Sequence, residues 1–120
     1  SPLEGAKREM QEETGYAGGR YFALGNPAPN PAIQSNRAHS FLAVDLRPGF
    51  AKNLDPAEDI EIERIPYAEF MAGTLRGKLD LQSIHLAAAH LALGFILSTQ
   101  ERDPVLCRLR ESSHQVLTSL

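Results

Sequence analysis

Residues 8–16 read Arg-Glu-Met-Gln-Glu-Glu-Thr-Gly-Tyr, and the interpretation of the whole chain starts from this stretch. An α-helix turns about 100° per residue. On a helix through this stretch, Glu9 and Glu13 are near neighbours and Glu12 lies on the same side. Like charges at these spacings destabilise an isolated helix. We therefore expect a positive group beside the three carboxylates.

Two positive groups fit this acidic face. Arg8 lies one helical turn before Glu12 and can brace the cluster by an ion pair. The other is a hard divalent cation, because Mg²⁺ takes carboxylates together with water and substrate phosphates. A solvated acidic face without a metal has the same spacing, so spacing alone leaves both interpretations open.

The helix has clear predicted ends. Ser1 can act as the N-cap, Pro2 stands at the favoured first position, and Glu4 completes a capping box. Gly15 is a natural C-terminal stop. At helical spacing, four residues should face the core: Leu3, Ala6, Met10 and Thr14.

The remaining pattern predicts an α/β fold, with a mixed sheet and helices packed on it. Proline and asparagine predict a loop over 26–36, and strict alternation predicts a half-buried strand at 60–63. The other expected strands are 20–24 and 38–46, and the other expected helices are 67–75, 80–98 and 104–120. We treat 1–98 as the domain and 99–120 as a weaker helical tail.

Chain length, net charge, cysteine content and the longest apolar run limit the classes of protein to which this chain can belong. A length of 120 residues allows one domain, and a net charge of −3 argues against nucleic acid as the main partner. Cys107 is the single cysteine, which excludes an internal disulfide and suits the cytoplasm. The longest apolar run, 84–97, is shorter than the roughly 20 residues that span a bilayer, so no membrane partner is expected.

The opening stretch resembles the second half of the Nudix box, R-E-U-x-E-E-x-G-U, in which U is a bulky apolar residue. The matching residues are Arg8, Glu9, Met10, Glu12, Glu13, Gly15 and Tyr16. Residues 30–37, 39–46, 58–62 and 77–80 look like later segments of ADP-ribose pyrophosphatase-like members. The glycine and first glutamate of the box would precede Ser1, so we expect a partial Nudix fold without its N-terminal strands.

This resemblance implies a set of site residues. Glu9, Glu12 and Glu13 would bind Mg²⁺ or Mn²⁺, with Glu12 also in the catalytic set. Arg8 would orient a glutamate, and Gly15 would let the helix turn into the loop.

The water-activating base is a separate question. Glu58 and Asp59 are the nearest candidates, and we assign the role to Glu58, although a solvated loop carboxylate is an equal alternative. Pro56 stands where relatives often carry an acid, which weakens the alignment at this point. Asn36 and Arg37 could contact a phosphate or ribose, while a salt bridge within the loop is the alternative for Arg37.

The implied function is metal-dependent hydrolysis of the diphosphate linkage in ADP-ribose or a related nucleoside diphosphate derivative. A homodimer is expected, because dimers are common among similar proteins. The alternative is a catalytically inactive Nudix-like scaffold that binds a nucleotide or a protein partner.

Overall fold

Four helices and a two-stranded sheet follow one another along the chain in the computed structural model, which describes residues 1–28, 32 and 36–120. The elements are α1 (Pro2–Thr14), β1 (Arg20–Gly25), β2 (Ser40–Val44), α2 (Tyr67–Leu75), α3 (Ser83–Ser98) and α4 (Pro104–Ser119). The α/β class is confirmed. The expected mixed sheet is wrong for the described residues, whose two strands pair antiparallel.

Helix α1 begins and ends where the sequence predicts. The Glu4 N–H donates to the Ser1 hydroxyl at 3.3 Å, and Gly15 ends the helix in the left-handed conformation with φ 76°. The apolar stripe of α1 differs from the prediction. Its members Leu3, Ala6, Met10 and Thr14 are only half-buried, and no residue of α1 is fully buried.

A tight turn leads from α1 into the hairpin of β1 and β2. Before the hairpin, Ala17 and Arg47 exchange backbone hydrogen bonds of 3.0 and 2.9 Å. Gly19 has φ 70°, and a Cβ on it would stand 2.3 Å from the Val44 carbonyl oxygen. Only glycine therefore fits where the chain turns into β1.

The core lies where α3 meets the sheet on one side and α2 and α4 on the other. One cluster joins Val44, Ile96 and Leu106, and the Phe22 and Phe95 rings pack beside it with centroids 5.4 Å apart. A second cluster joins Met71, Leu93 and Val116. The prediction that the apolar helix α3 packs between other elements is confirmed.

Two segments at the end of the chain differ from expectation in detail. Helix α3 begins at Ser83, three residues after the predicted cap Asp80, with Gln82 at the N-cap position. The segment expected as a weaker tail forms α4, whose Leu106 and Val116 are fully buried in the core clusters.

The strand predicted at 60–63 does not form. These residues have no regular structure, and Glu61, Ile62 and Glu63 are exposed. Alternating apolar and polar residues give an extended chain one apolar face. A β-strand also needs a neighbouring strand to pair with its backbone N–H and C=O groups. Among the described residues, the hairpin is the only sheet, and 60–63 lies outside it.

The loop predicted at 26–36 is irregular backbone at the positions that the structure describes, while 29–31 and 33–35 lie outside the described residues. Within the described ranges, no helix has both the length and the apolar character needed to cross a bilayer.

Candidate functional site

The loop at 50–53 lies against the C-terminal half of α1. The Phe50 N–H donates to the Gly15 carbonyl at 3.0 Å, and the Asn53 N–H donates to the Glu12 carbonyl at 2.9 Å. The Gln11 side-chain amide donates to the Ala51 carbonyl at 3.4 Å. The two backbone bonds satisfy carbonyl groups at the end of a helix, which otherwise have no partner, and the Gln11 bond satisfies a carbonyl group of the loop.

Gly15 makes this close approach possible. A Cβ at this position would stand 3.1 Å from the Phe50 carbonyl oxygen and 3.4 Å from side-chain carbons of Lys52. The Gly15 N–H also donates to the Gln11 carbonyl at 2.8 Å, which closes the helix. The predicted role of Gly15 as the helix stop is confirmed, and the residue also admits the loop.

Glu58 follows this loop and is held by a local turn. The Glu58 N–H donates to the Asp55 carbonyl at 2.8 Å, and the Asp55 N–H donates to Glu58 Oε1 at 2.9 Å. The side chain is half-buried. The turn therefore engages one carboxylate oxygen, Oε1, in a backbone hydrogen bond.

Electrostatics link Glu58 to the acidic face of α1. Partial burial raises the pKa of Glu13 above its usual value, and the charges of Glu9, Glu58 and Glu12 raise it further. Coulomb interactions of this kind fall off with distance and solvent screening. Glu9, Glu12 and Glu58 therefore each lie close enough to repel Glu13, and a cation beside Glu13 would relieve that repulsion.

Arg8 is the basic side chain that pairs within the cluster. Its Nε stands 3.8 Å from Glu12 Oε1 across one helical turn, and the Arg8 side chain is 66% exposed. The predicted contact is thus present. At this distance and exposure it contributes little to stability.

The carboxylates of Glu9, Glu12 and Glu13 have the right chemistry for a hard cation, but they do not converge on one point. Carboxylate oxygens are the ligands that Mg²⁺ prefers, and protein sites commonly supply one or two carboxylates, the rest being water and phosphate. In the part of the chain that the structure describes, no three or more His, Cys, Asp or Glu residues converge as a metal-holding group. Glu9, Glu12 and Glu13 share one side of α1 without meeting at a single point.

The two predicted substrate contacts lie in irregular backbone before β2. Asn36 and Arg37 are both exposed. Neither forms a hydrogen bond or ion pair with another residue of the described ranges. A role for them in binding substrate stays a prediction.

Sequence reasoning missed the loop at 50–53 as part of this site. Gln11 and Ala51 are separated by 40 positions, and no local spacing rule connects residues so far apart. The available signal was the glycine at 15, which allows both a helix stop and a close backbone approach. Which segment makes that approach is decided by the tertiary structure.

Comparison with known proteins gave no match to this chain. No family model matches the chain, and the searches of curated proteins and of solved structures gave no match either. The resemblance to the Nudix box therefore rests on residues 8–16 and the later segments of the sequence itself.

Proposed function

We propose that this protein is a metal-dependent hydrolase that cleaves the diphosphate linkage of ADP-ribose or a related nucleoside diphosphate derivative. The observation that carries the proposal is the docking of the loop at 50–53 on the C-terminal half of α1, which brings Glu58 near enough for its charge to act on Glu13. It supports a water-activating carboxylate beside a cation-binding face, as the resemblance to the Nudix box implies.

The proposed roles follow from the positions of the side chains. Glu9, Glu12 and Glu13 would hold Mg²⁺ or Mn²⁺, which when bound supplies neutralisation of the diphosphate charge. Arg8 orients the Glu12 carboxylate through their 3.8 Å ion pair. Glu58 would accept the proton from water, with its carboxylate held through Oε1 by the Asp55 N–H.

The reaction balances without a further reactant. A water oxygen forms a bond to one phosphorus while the bond from that phosphorus to the bridging oxygen breaks. Glu58 takes one proton from the water and later returns it to the leaving phosphate. The products are two phosphate monoesters.

Turnover and Mg²⁺ affinity test the proposal. We expect Glu58→Gln to lower kcat on ADP-ribose by about 10²–10⁴-fold, the usual contribution of a general base, with Mg²⁺ affinity nearly unchanged. Glu12→Gln should weaken both Mg²⁺ affinity and turnover, whereas Glu111→Gln, an exposed acid on α4, serves as the matched control. Isothermal titration with Mg²⁺ and phosphate release from a panel of nucleoside diphosphates give the two measurements.

The hydrolase proposal fails if purified protein cleaves none of the panel at saturating Mg²⁺.

The scaffold alternative would then account for the chain, and it has an observation of its own. The apolar stripe of α1 is only half-buried, which leaves surface that a partner could cover. Nucleotide binding without turnover would support the scaffold.

The raised pKa of Glu13 predicts how stability varies with pH. Between the usual and the raised pKa, the folded protein holds more protons than the unfolded chain, so stability falls as the pH rises through this window. We expect Glu13→Gln to raise Tm at about pH 7 by about 1–3 °C, since it removes like-charge repulsion between helix neighbours. Well below the usual pKa, the two proteins should unfold alike.

Thermal unfolding in the presence of EDTA gives this measurement without interference from metal. Mg²⁺ should then raise the Tm of the wild-type protein more than that of the variant. A variant that is less stable than wild type at about pH 7 would show that the carboxylates do not repel one another in the folded protein.

A further inference from the structure

A second concave surface lies on the opposite flank of α1, between the helix and the turn that leads into β1. This groove has a volume of about 430 Å³. It is lined by Glu4, Lys7, Arg8, Gln11, Ala17, Gly18, Gly19 and Tyr21. Glu9, Glu13 and Glu58 do not line it, so it is distinct from the acidic face.

Hydrogen-bond donors predominate in the groove. Lys7 and Arg8 contribute cationic groups and Gln11 contributes an amide, against a single carboxylate from Glu4. The backbone N–H groups of Gly18 and Gly19 donate to no other residue in the described ranges. Such a surface is complementary to an anion that accepts several hydrogen bonds at once.

The glycine turn leaves room for a ligand beside these donors. Gly18 has φ 74°, and no atom lies within 4 Å of the position that a Cβ would occupy there. Gly19 follows with φ 70°. Gly18 therefore leaves open space in which a small anion can approach the backbone, whereas the corresponding space at Gly19 is filled by the Val44 carbonyl.

Tyr21 positions the Lys7 ammonium. The Lys7 Nζ stands 5.7 Å from the centroid of the Tyr21 ring, which is within the range of a cation–π contact. Tyr21 is half-buried at the start of β1. The ring therefore gives the flexible Lys7 side chain a contact within the groove that both residues line.

We infer that this groove is a binding site for a phosphate group, either free or carried by a small molecule. Lys7 and Arg8 bind the phosphate oxygens through charge-assisted hydrogen bonds. The Gly18 and Gly19 N–H groups and the Gln11 amide complete the set of donors. The site requires no metal, and it shares Arg8, which also pairs with Glu12, with the acidic face.

The test uses the full chain in EDTA at constant ionic strength, with inorganic phosphate and ADP as the two probes. We expect saturable binding in ¹⁵N–¹H spectra, with shifts centred on the amides of Gly18 and Gly19. Lys7→Gln and Arg8→Gln should each weaken binding about tenfold or more, because each removes a charge-assisted hydrogen bond. Lys52→Gln, which removes a cation beside Gly15 and outside the groove, should leave affinity within about twofold.

The two probes separate the sources of the phosphate. Equal affinity for phosphate and ADP assigns the groove to the free anion, and tighter binding of ADP assigns it to a nucleotide. The inference is overturned if neither probe saturates, if Lys7→Gln and Arg8→Gln leave affinity unchanged, or if Lys52→Gln weakens binding as much as they do. Because metal and turnover play no part in the measurement, its outcome is separate from that of the hydrolase test.

Discussion

Thr74 carries a buried hydroxyl group without a hydrogen-bond partner in the described part of the chain. The residue lies in α2 and is 3% exposed. A buried polar atom that has lost water and gained no partner costs free energy. We expect Thr74→Val, which keeps the branched shape and removes the hydroxyl, to raise the free energy of unfolding by about 1 kcal/mol. Urea unfolding measures this change.

Thr74→Ser is the matched control, because it keeps the hydroxyl and removes the methyl group. It should be less stable than wild type, since it loses buried apolar volume. A Thr74→Val protein that is no more stable than wild type would show that the hydroxyl has a partner in solution, such as an internal water.

Single residues also decide the geometry of the candidate site. Gly15 admits the loop that leads to Glu58, and the charges of Glu9, Glu58 and Glu12 act on Glu13. Residues 8–16 predict the acidic face and the glycine stop, because both follow from helical geometry over a few positions. They carry no information on which distant carboxylate joins them.

Among the elements, α4 is joined to the start of β1 through its N-cap. Asp103 accepts hydrogen bonds from the Val105 N–H at 2.8 Å and from Arg20 Nη2 at 3.0 Å. The Arg20 guanidinium is the main cause that lowers the pKa of Asp103 to about 2, and the helix N–H groups lower it further. One carboxylate therefore caps a helix and connects it to the sheet.

This contact predicts a second dependence of stability on pH. Because the pKa of Asp103 is lowered in the folded state, its stabilising effect is present above the ordinary value of 3.8 and is lost as the pH falls toward about 2. We expect Asp103→Asn to lower Tm by several degrees at about pH 7, and the difference from wild type to shrink toward about pH 2. Thermal unfolding across this range checks the prediction.

Asp80→Asn is the control for this series, because Asp80 is exposed and lies outside the helix that it was predicted to cap. Its Tm should follow that of wild type at every pH. A difference between Asp103→Asn and wild type that stays constant down to about pH 2 would show that the charge of Asp103 contributes nothing beyond the cap.

At the scale of the whole molecule, Ile96 packs where three elements of the core meet. It is fully buried in α3 and packs with Val44 of β2 and Leu106 of α4. We expect Ile96→Ala to lower the free energy of unfolding by about 2–5 kcal/mol, since it leaves a cavity among three elements. Chemical denaturation monitored by circular dichroism gives the value.

Leu91→Ala on the same helix is the matched control, because Leu91 is 37% exposed. Its cost should be clearly smaller than that of Ile96→Ala. Equal costs for the two variants would contradict the placement of Ile96 at the junction of the sheet with α4.

Elements with local signals could be predicted from the amino-acid sequence alone. Helix α1 has its cap at Ser1 and its stop at Gly15, α2 spans the predicted residues Tyr67–Leu75, and α4 begins at Pro104 as expected. Caps, prolines and helical periodicity act within a few residues, so they can be read without knowing the rest of the fold.

Features that need a distant partner could not be predicted in this way, because they form only in the folded chain. Residues 60–63 alternate like a strand but have no neighbouring strand, and the loop at 50–53 contacts α1 across 40 positions of sequence. The groove beside Lys7 likewise forms only where α1 meets the turn before β1. Strand pairing, loop docking and groove formation all depend on which segments meet in space, and local preferences carry no information about that choice.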